Sequence, residues 1–209
     1  MPKPTFYRLP EEKRDKLLEA VKAEFSRVPF AQVSINQIIR AAGIPRGSFY
    51  QYFSGKDDVL SYLLTGYKRK LVAAAQDSLE RSGGDLIALF AELLDFTVSF
   101  VMAEENNAFF RNLFADIQVN TQFYRRLRED ADARESVEAL AARVDTRRLL
   151  LREEGDFRYM IDILFSVCRD ATVEVFLNGA DMEAAREEYR RKLKLLEQGF
   201  MKKQGDAYA

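Results

Sequence analysis

Apolar side chains recur three and four residues apart along most of this chain, and no stretch shows the strict alternation of a half-buried strand. That spacing predicts helices throughout. A first helix runs from about Pro10 to Val28, with Leu17, Leu18, Val21 and Phe25 on its inner face and Glu11 and Glu12 at its positive end. Two short patterns follow. Ile35, Ile38, Ile39 and Ala42 share one face behind Ser34, whose hydroxyl can cap the first turn. Gly43 stands where a helix stops, Pro45 restarts the chain with φ already set, and Phe49 and Phe53 lie four apart. A long fourth helix extends to about Arg81 through Val59, Leu60, Leu63, Leu64, Tyr67, Leu71 and Ala74. Ser82-Gly83-Gly84 breaks the pattern. Asp85 caps the next helix, which runs to about Glu105 and is apolar on most sides, as a helix buried in the middle of a bundle would be. Helical stretches at about 106–119 and 121–144 lead to a polar loop at 145–155. Asp156 opens a strong helix to about Leu177, Asn178-Gly179 ends it, and Asp181 caps a last helix to about Lys203. The expectation is an all-α fold of about nine helices.

The two short helices around Gly43 carry the most chemistry. With Phe49 and Phe53 turned inward, Arg46, Ser48, Tyr50 and Tyr52 face elsewhere. A short helix, a Gly turn and a second helix showing Arg, Ser and Tyr is the pattern of a DNA-reading helix-turn-helix. Arg46 stands at the start of that second helix, and its planar fork can take guanine O6 and N7 together. Ser48 and Gln51 can also reach base edges. Gly47 has no side chain to keep backbone from DNA. Ser34 and Asn36, at the start of the preceding helix, are placed for a phosphate. The bland alternative makes Tyr50 and Tyr52 packing residues and Arg46 a solvated charge, although Phe49 and Phe53 already supply a packing face.

Residues 41–60, A-A-G-I-P-R-G-S-F-Y-Q-Y-F-S-G-K-D-D-V-L, resemble the DNA-binding signature of the TetR/AcrR family of bacterial transcriptional repressors. Gly43, Gly47, Tyr50, Tyr52, Phe53 and Lys56 all fall in register. Pro45 departs from the pattern, because the family usually carries a Ser or Thr cap there. The match covers roughly the first quarter of the chain, and the rest is similar only in length and helical character. The resemblance implies a three-helix DNA-binding head in residues 1–56 and a helical effector-binding and dimerisation body in residues 57–209. It further implies that Tyr50, Tyr52 and Lys56 contact phosphates, that the body keeps a cavity for an apolar or amphipathic effector, and that the last two long helices of each subunit form a four-helix dimer interface. The expected function is that of a homodimeric repressor on a palindromic operator of double-stranded DNA, released by a hydrophobic small molecule. The alternative is a small-molecule-binding helical dimer without specific DNA binding.

Charge supports a divided chain. Residues 1–56 hold ten Lys or Arg against five acids, whereas residues 57–209 hold 22 bases against 28 acids. A basic module on an acidic body suits a DNA-binding head with a partner domain. The 209 residues contain no histidine and one cysteine, Cys168, which rules out an internal disulfide and removes the commonest general base and metal ligands. With no H-x-E, Walker or dinucleotide pattern either, neither an enzyme nor a metal or cofactor is expected. No apolar run approaches the ~20 residues of a membrane helix, and the N-terminus lacks the apolar core of a signal peptide. A cytoplasmic protein is expected, with no membrane partner.

Aromatic residues crowd the body. Phe96, Phe100, Met102, Phe110, Phe114, Phe123 and Phe165 are the candidate lining of an effector cavity, with Asp95, Ser99 and Asn112 as polar anchors. Each fits a plain core equally well. Cys168, Thr172 and Phe176 on one late helix, and Tyr189, Leu193, Leu196 and Phe200 on the other, lie on broad apolar faces and are the candidate dimer interface, where Cys168 acts as a small packing residue.

Overall fold

The computed structural model describes residues 2–119 and 139–201, without the side chains of 117–119. The described residues are helical, as the 3.6-residue spacing requires, and include no strand. In chain order the helices are α1 (Pro4–Tyr7), α2 (Glu11–Arg27), α3 (Ile35–Ala42), α4 (Arg46–Tyr52), α5 (Lys56–Ser82), α6 (Leu86–Met102), α7 (Glu104–Val119), α8 (Asp156–Phe176) and α9 (Met182–Phe200). Short 3-10 turns occupy Phe30–Gln32 and Thr146–Arg148. Most of the helix expected at 121–144 lies outside the described residues, and the four-residue α1 was not expected. No single helix among the described residues is long and apolar enough to cross a membrane. Two compact units emerge, Met1–Arg69 with Ala103–Leu127, and Lys70–Met102 with Arg128–Ala209. Beyond residues 1–56, the first unit therefore takes in the first half of α5 and all of α7 that is described.

The first unit is organised around α2. Leu17, Val21 and Phe25 are buried on its inner face, together with Ile38 and Ala42 of α3 and Phe49 of α4. Ser34 caps α3 as expected, its Oγ accepting the Gln37 amide at 3.4 Å. Gly43 takes the left-handed conformation, φ 65°, and the Gly43 and Ile44 amides donate to the Arg40 and Ile39 carbonyls. Glu24 is the unexpected member of this core. It is 5% exposed. Its Oε1 accepts the Ser34 amide at 2.9 Å, and the Arg27 guanidinium donates to both carboxylate oxygens at 2.8–2.9 Å. A buried carboxylate is tolerable only with such donors, and here one of them is the backbone at which α3 begins. From the other side, Asn112 of α7 donates to the Phe25 and Ser26 carbonyls at 3.2 and 2.9 Å, covering two of the acceptors that the end of α2 leaves open. The Phe30 amide donates to the Asp116 carboxylate, and Phe109 packs near Phe25, ring centroids 6.4 Å apart.

The second unit buries one apolar cluster drawn from α5, α6, α8 and α9, including Leu79, Leu89, Phe90, Leu94, Ile161, Leu164 and Leu193. Its corners are set by backbone. Gly83 and Gly84 have φ of 65° and 85°, and a Cβ on Gly84 would lie 2.6 Å from the Asp145 amide nitrogen. That amide donates to the Gly84 carbonyl at 2.9 Å. Asp85 caps α6, accepting from the Ile87 and Ala88 amides, while its other oxygen meets Arg148 at 3.1 Å. Asp181 caps α9 through the Ala184 amide. The Tyr189 hydroxyl, deep in the cluster, donates to the Phe90 carbonyl at 2.7 Å, and Arg186 pairs with Asp95 at 2.9 Å. Burial pushes the Cys168 thiol up to about 11, so it stays protonated and serves as packing.

Glu24→Ala strands the Ser34 amide and is expected to destabilise the first unit by about 1–3 kcal/mol. Glu24→Gln keeps an acceptor at Oε1 and recovers part of that loss. Urea unfolding followed by circular dichroism measures both.

Candidate nucleic-acid interface

Helix α4 divides cleanly into a packed face and an open one. Phe49 and the following Phe53 are fully buried, and their rings pack with centroids 5.6 Å apart. Arg46, Gly47, Tyr50 and Gln51 are exposed, and Ser48 and Tyr52 half-buried. The reading helix is only seven residues long and starts without a side-chain cap, because Pro45 occupies the N-cap position. The Pro45 carbonyl instead accepts the Ser48 amide at 3.0 Å. Gly47 sits in ordinary helical backbone with nothing within 4 Å of where a Cβ would be. The fold of the chain itself therefore does not require glycine there.

Three of the sequence-derived residues form one constellation. Arg46 Nη1 donates to Asn36 Oδ1 at 2.7 Å, and its guanidinium carbon lies 5.8 Å from the Tyr50 ring centroid. Asn36 on α3 and Tyr50 on α4 thus hold the fork between them, leaving further N–H donors of the guanidinium for a ligand. Lys56, the first residue of α5, is engaged internally. Its Nζ donates to the Phe30 and Ala31 carbonyls at 2.9 and 3.1 Å and lies 4.6 Å from the Phe30 ring centroid. An ammonium has three donors, so one remains for a phosphate.

Sequence reasoning missed the elements that finish the reading helix. The Lys3 amide donates to the Tyr52 carbonyl at 2.8 Å, and the Lys3 ammonium donates to the Tyr50 carbonyl at 2.8 Å. The Thr5 hydroxyl donates to the Gln51 carbonyl. Phe6 of α1 is fully buried, with ring centroids 5.1 Å from Phe53 and 5.2 Å from Tyr62. The only hint in the sequence was an aromatic pair, Phe6-Tyr7, close to the start.

The other expected sites are less gathered. Phe110 and Phe114 are buried in the first unit, 6.1 Å apart, with Tyr67 beside Phe110. Phe96 and Phe100 stack in the second unit, 6.2 Å apart, Phe165 packs edge-on against Phe90, Ser99 is exposed, and Met102 points outward at 53% exposure. Phe123 lies outside the described residues. Two of the proposed anchors already have structural partners, Asn112 at the end of α2 and Asp95 with Arg186. Within the second unit a cleft of about 240 Å3 is lined by α5 and α6. Phe96 is its one residue from the expected lining, and Asp77, Ser78, Arg81 and Glu92 make it half polar. The residues expected at the dimer face are largely occupied as well. Cys168, Thr172, Phe176, Tyr189 and Leu193 are buried within this one chain, and Leu196 and Phe200 pack partly against the same cluster. Most of that apolar surface is spent on this chain's own core, with Leu196 and Phe200 half-buried. Ile163 on α8 and Leu195 on α9 are the large aliphatic groups left exposed, at 43% and 69%.

Comparison with known proteins agrees with this architecture. A family model described as bacterial regulatory proteins, tetR family, matches residues 17–63. A second, for tetracyclin repressor-like C-terminal domains, matches residues 85–200, more than half of the chain. The curated HTH-type transcriptional regulator YdgC of Bacillus subtilis (strain 168), itself uncharacterized, is 31% identical over 72 residues, 34% of this chain and 37% of that protein. YwcC of the same strain, likewise uncharacterized, is 45% identical over 51 residues, 23% of each. The chain thus matches 37% of the length of one of these relatives and 23% of the other. Among solved structures, a TetR family transcription regulator from Marinobacter aquaeolei VT8 is 18% identical with a TM-score of 0.54, covering 91% of this chain and 96% of that one. FadR from Bacillus subtilis, in complex with stearoyl-CoA, is 15% identical with a TM-score of 0.52, covering 88% and 98%. At those identities the likeness shows the fold, while the family models reach the sequence itself: the chain belongs to the TetR family of bacterial transcriptional regulators.

Proposed function

We propose that this protein is a homodimeric repressor that reads a palindromic DNA operator with α4 and releases it on binding a hydrophobic small molecule. Residues 1–56 carry the reading head, and residues 57–209 carry effector binding and dimerisation. The observation that carries the reading is the open face of α4. There Arg46, Gly47, Tyr50 and Gln51 are exposed opposite fully buried Phe49 and Phe53. Arg46, held by Asn36, addresses a base edge. Ser48 and Gln51 stand beside it for a second base, and Ser34, Tyr50, Tyr52 and the spare donor of Lys56 address phosphates. Half-sites of such a dimer lie about 34–36 Å apart, so a small change in the spacing of two heads loses the register. The effector acts only through a difference in affinity for the two spacings.

Selection of duplexes from a randomised library by the wild-type protein tests the reading directly. Recovery of a palindromic consensus is expected, and recovery of none overturns the repressor. On that consensus, Arg46→Ala should cost about 1–3 kcal/mol and relax one position. Gly47→Ala separates fold from function. It should raise stability by up to about 1 kcal/mol, because alanine is the better helix former and the space is open, yet weaken operator binding. Melting curves beside DNA titrations read both.

For the dimer, the resemblance assigns the last two long helices, and the large aliphatic groups exposed there are Ile163 and Leu195. Leu195→Glu is expected to shift sedimentation from dimer to monomer while the helical signal is retained. A wild-type chain that sediments as a monomer at micromolar concentration removes the two-headed mechanism.

For the effector, the aromatic groups of the second unit, among them Phe96, Phe100 and Phe165, support a ligand with a long apolar portion. FadR of Bacillus subtilis, which shares the fold, was solved with stearoyl-CoA, so acyl-CoAs are the first compounds to try. Thermal shift against acyl-CoAs, lipophilic cations, sugars and metal ions should show stabilisation by an apolar compound, with release of DNA by the same compound. Stabilisation by sugars or metals alone rejects it.

A further inference from the structure

A seven-residue helix leaves its last four carbonyls without helical partners, and in α4 all four are accounted for. The Phe49 carbonyl takes the Phe53 amide at 2.9 Å. The other three are taken by the N-terminal segment: Tyr50 by the Lys3 ammonium, Gln51 by the Thr5 hydroxyl and Tyr52 by the Lys3 amide. These are the backbone groups of three residues whose side chains would touch DNA. The donors come from 46 and 47 residues away in the sequence where side chains supply them. Buried Pro2 and Phe6 anchor the segment on both sides of those donors, Phe6 against the rings of Phe53 and Tyr62. At its other end α4 has no side-chain cap. Helices this short are marginal by themselves, so its geometry is imposed from outside. The Lys3 ammonium also stands at the negative end of the helix, where a cation is favourable. The stretch matched to the family begins only at residue 17.

We propose that the segment around Lys3 and Thr5 is a strap that positions the recognition helix, making Lys3 and Thr5 positioning residues for operator reading. The proposal rests on the repressor reading above, since it concerns how α4 is presented to DNA. The strap acts through backbone. By holding the carbonyls of the last turn it keeps that turn wound and holds the Tyr50, Gln51 and Tyr52 side chains at a fixed angle to Arg46 in the first turn. Without it the last turn frays, and side chains displaced by an ångström cannot satisfy base edges and phosphates together.

Lys3→Met and Thr5→Val, singly and together, and Lys3→Arg as the conservative control test this. The consensus duplex selected by the wild-type protein and a random duplex of equal length are titrated over a range of salt. The double variant should lose about tenfold in the ratio of consensus to random affinity, the size of one lost helix cap, with an unchanged salt slope. Thr5→Val, which alters no charge, should show part of the loss, and Lys3→Arg should recover it. If Lys3→Met weakens both duplexes equally and flattens the salt slope while Thr5→Val binds as wild type, Lys3 is a phosphate contact and the strap is rejected. Wild-type behaviour of all variants rejects it as well. Amide hydrogen exchange is the second measurement and needs no DNA. Exchange across residues 49–53 should accelerate about tenfold in the double variant while α2 keeps its protection, and unchanged exchange at 49–53 overturns the proposal even if no consensus is found.

Discussion

Short helices end before they can satisfy themselves, and the first unit is built around that constraint. A helix of seven or eight residues spends half of its backbone groups on open ends. Helices α3 and α4 are of that length, and each borrows closure from elsewhere. The α3 entry is held by Glu24 through the Ser34 amide, the α4 exit by Lys3 and Thr5, and the end of α2 by Asn112. Charge placement follows the same need. Glu24 is buried because a backbone amide and a guanidinium both require it, and Lys56 turns back on the Phe30 and Ala31 carbonyls although it stands at a surface expected to meet phosphates. What remains after these ends are closed is one open face, and the side chains on it are those a DNA groove can use.

The second unit meets a different problem, joining long helices that are already stable. Several of its ties sit at corners. Gly84 approaches the Asp145 backbone too closely to admit a side chain, and Asp85 serves at once as the α6 cap and as the partner of Arg148. Tyr189 carries its hydroxyl into the apolar cluster only because the Phe90 carbonyl receives it. Burial of Cys168 in the same cluster makes its thiol a packing group, with the Tyr189 and Thr172 hydroxyls beside it.

Features decided within four residues were legible in the sequence. Ser34, Asp85 and Asp181 cap the helices they precede and Gly43 turns left-handed, because each depends on near neighbours alone, and the spacing of Phe49 and Phe53 already marked the face that packs inward. Closures made across the chain were not. Nothing in the spacing marks Asn112 as the cap of residues 25 and 26, which lie 87 and 86 positions away, and α1 is too short to leave a period. A polar group awaiting a ligand and one already holding a helix end or an ion-pair partner have the same composition, which is why Asp95 and Asn112 resembled anchors. An apolar stripe likewise does not say whether it faces its own core or a second subunit. For Cys168, Thr172, Tyr189 and Leu193 the answer is their own core. The face of α4 was readable for the opposite reason. Packing had no use for Arg46, Tyr50 or Gln51, so their character survived as a signal.

The Asn112 bond has a consequence for synthesis. Helices α2 to α4 are complete in sequence by Tyr52, yet the group that closes the end of α2 belongs to a helix that begins at Glu104. A ribosome adding about 5–20 residues per second exposes α2, α3 and α4 seconds before Phe109, Asn112 and Asp116 emerge. During that interval the nascent first unit lacks its brace, and a chain terminated before α7 never acquires it. Translation of the middle of the protein is therefore the step that finishes its beginning.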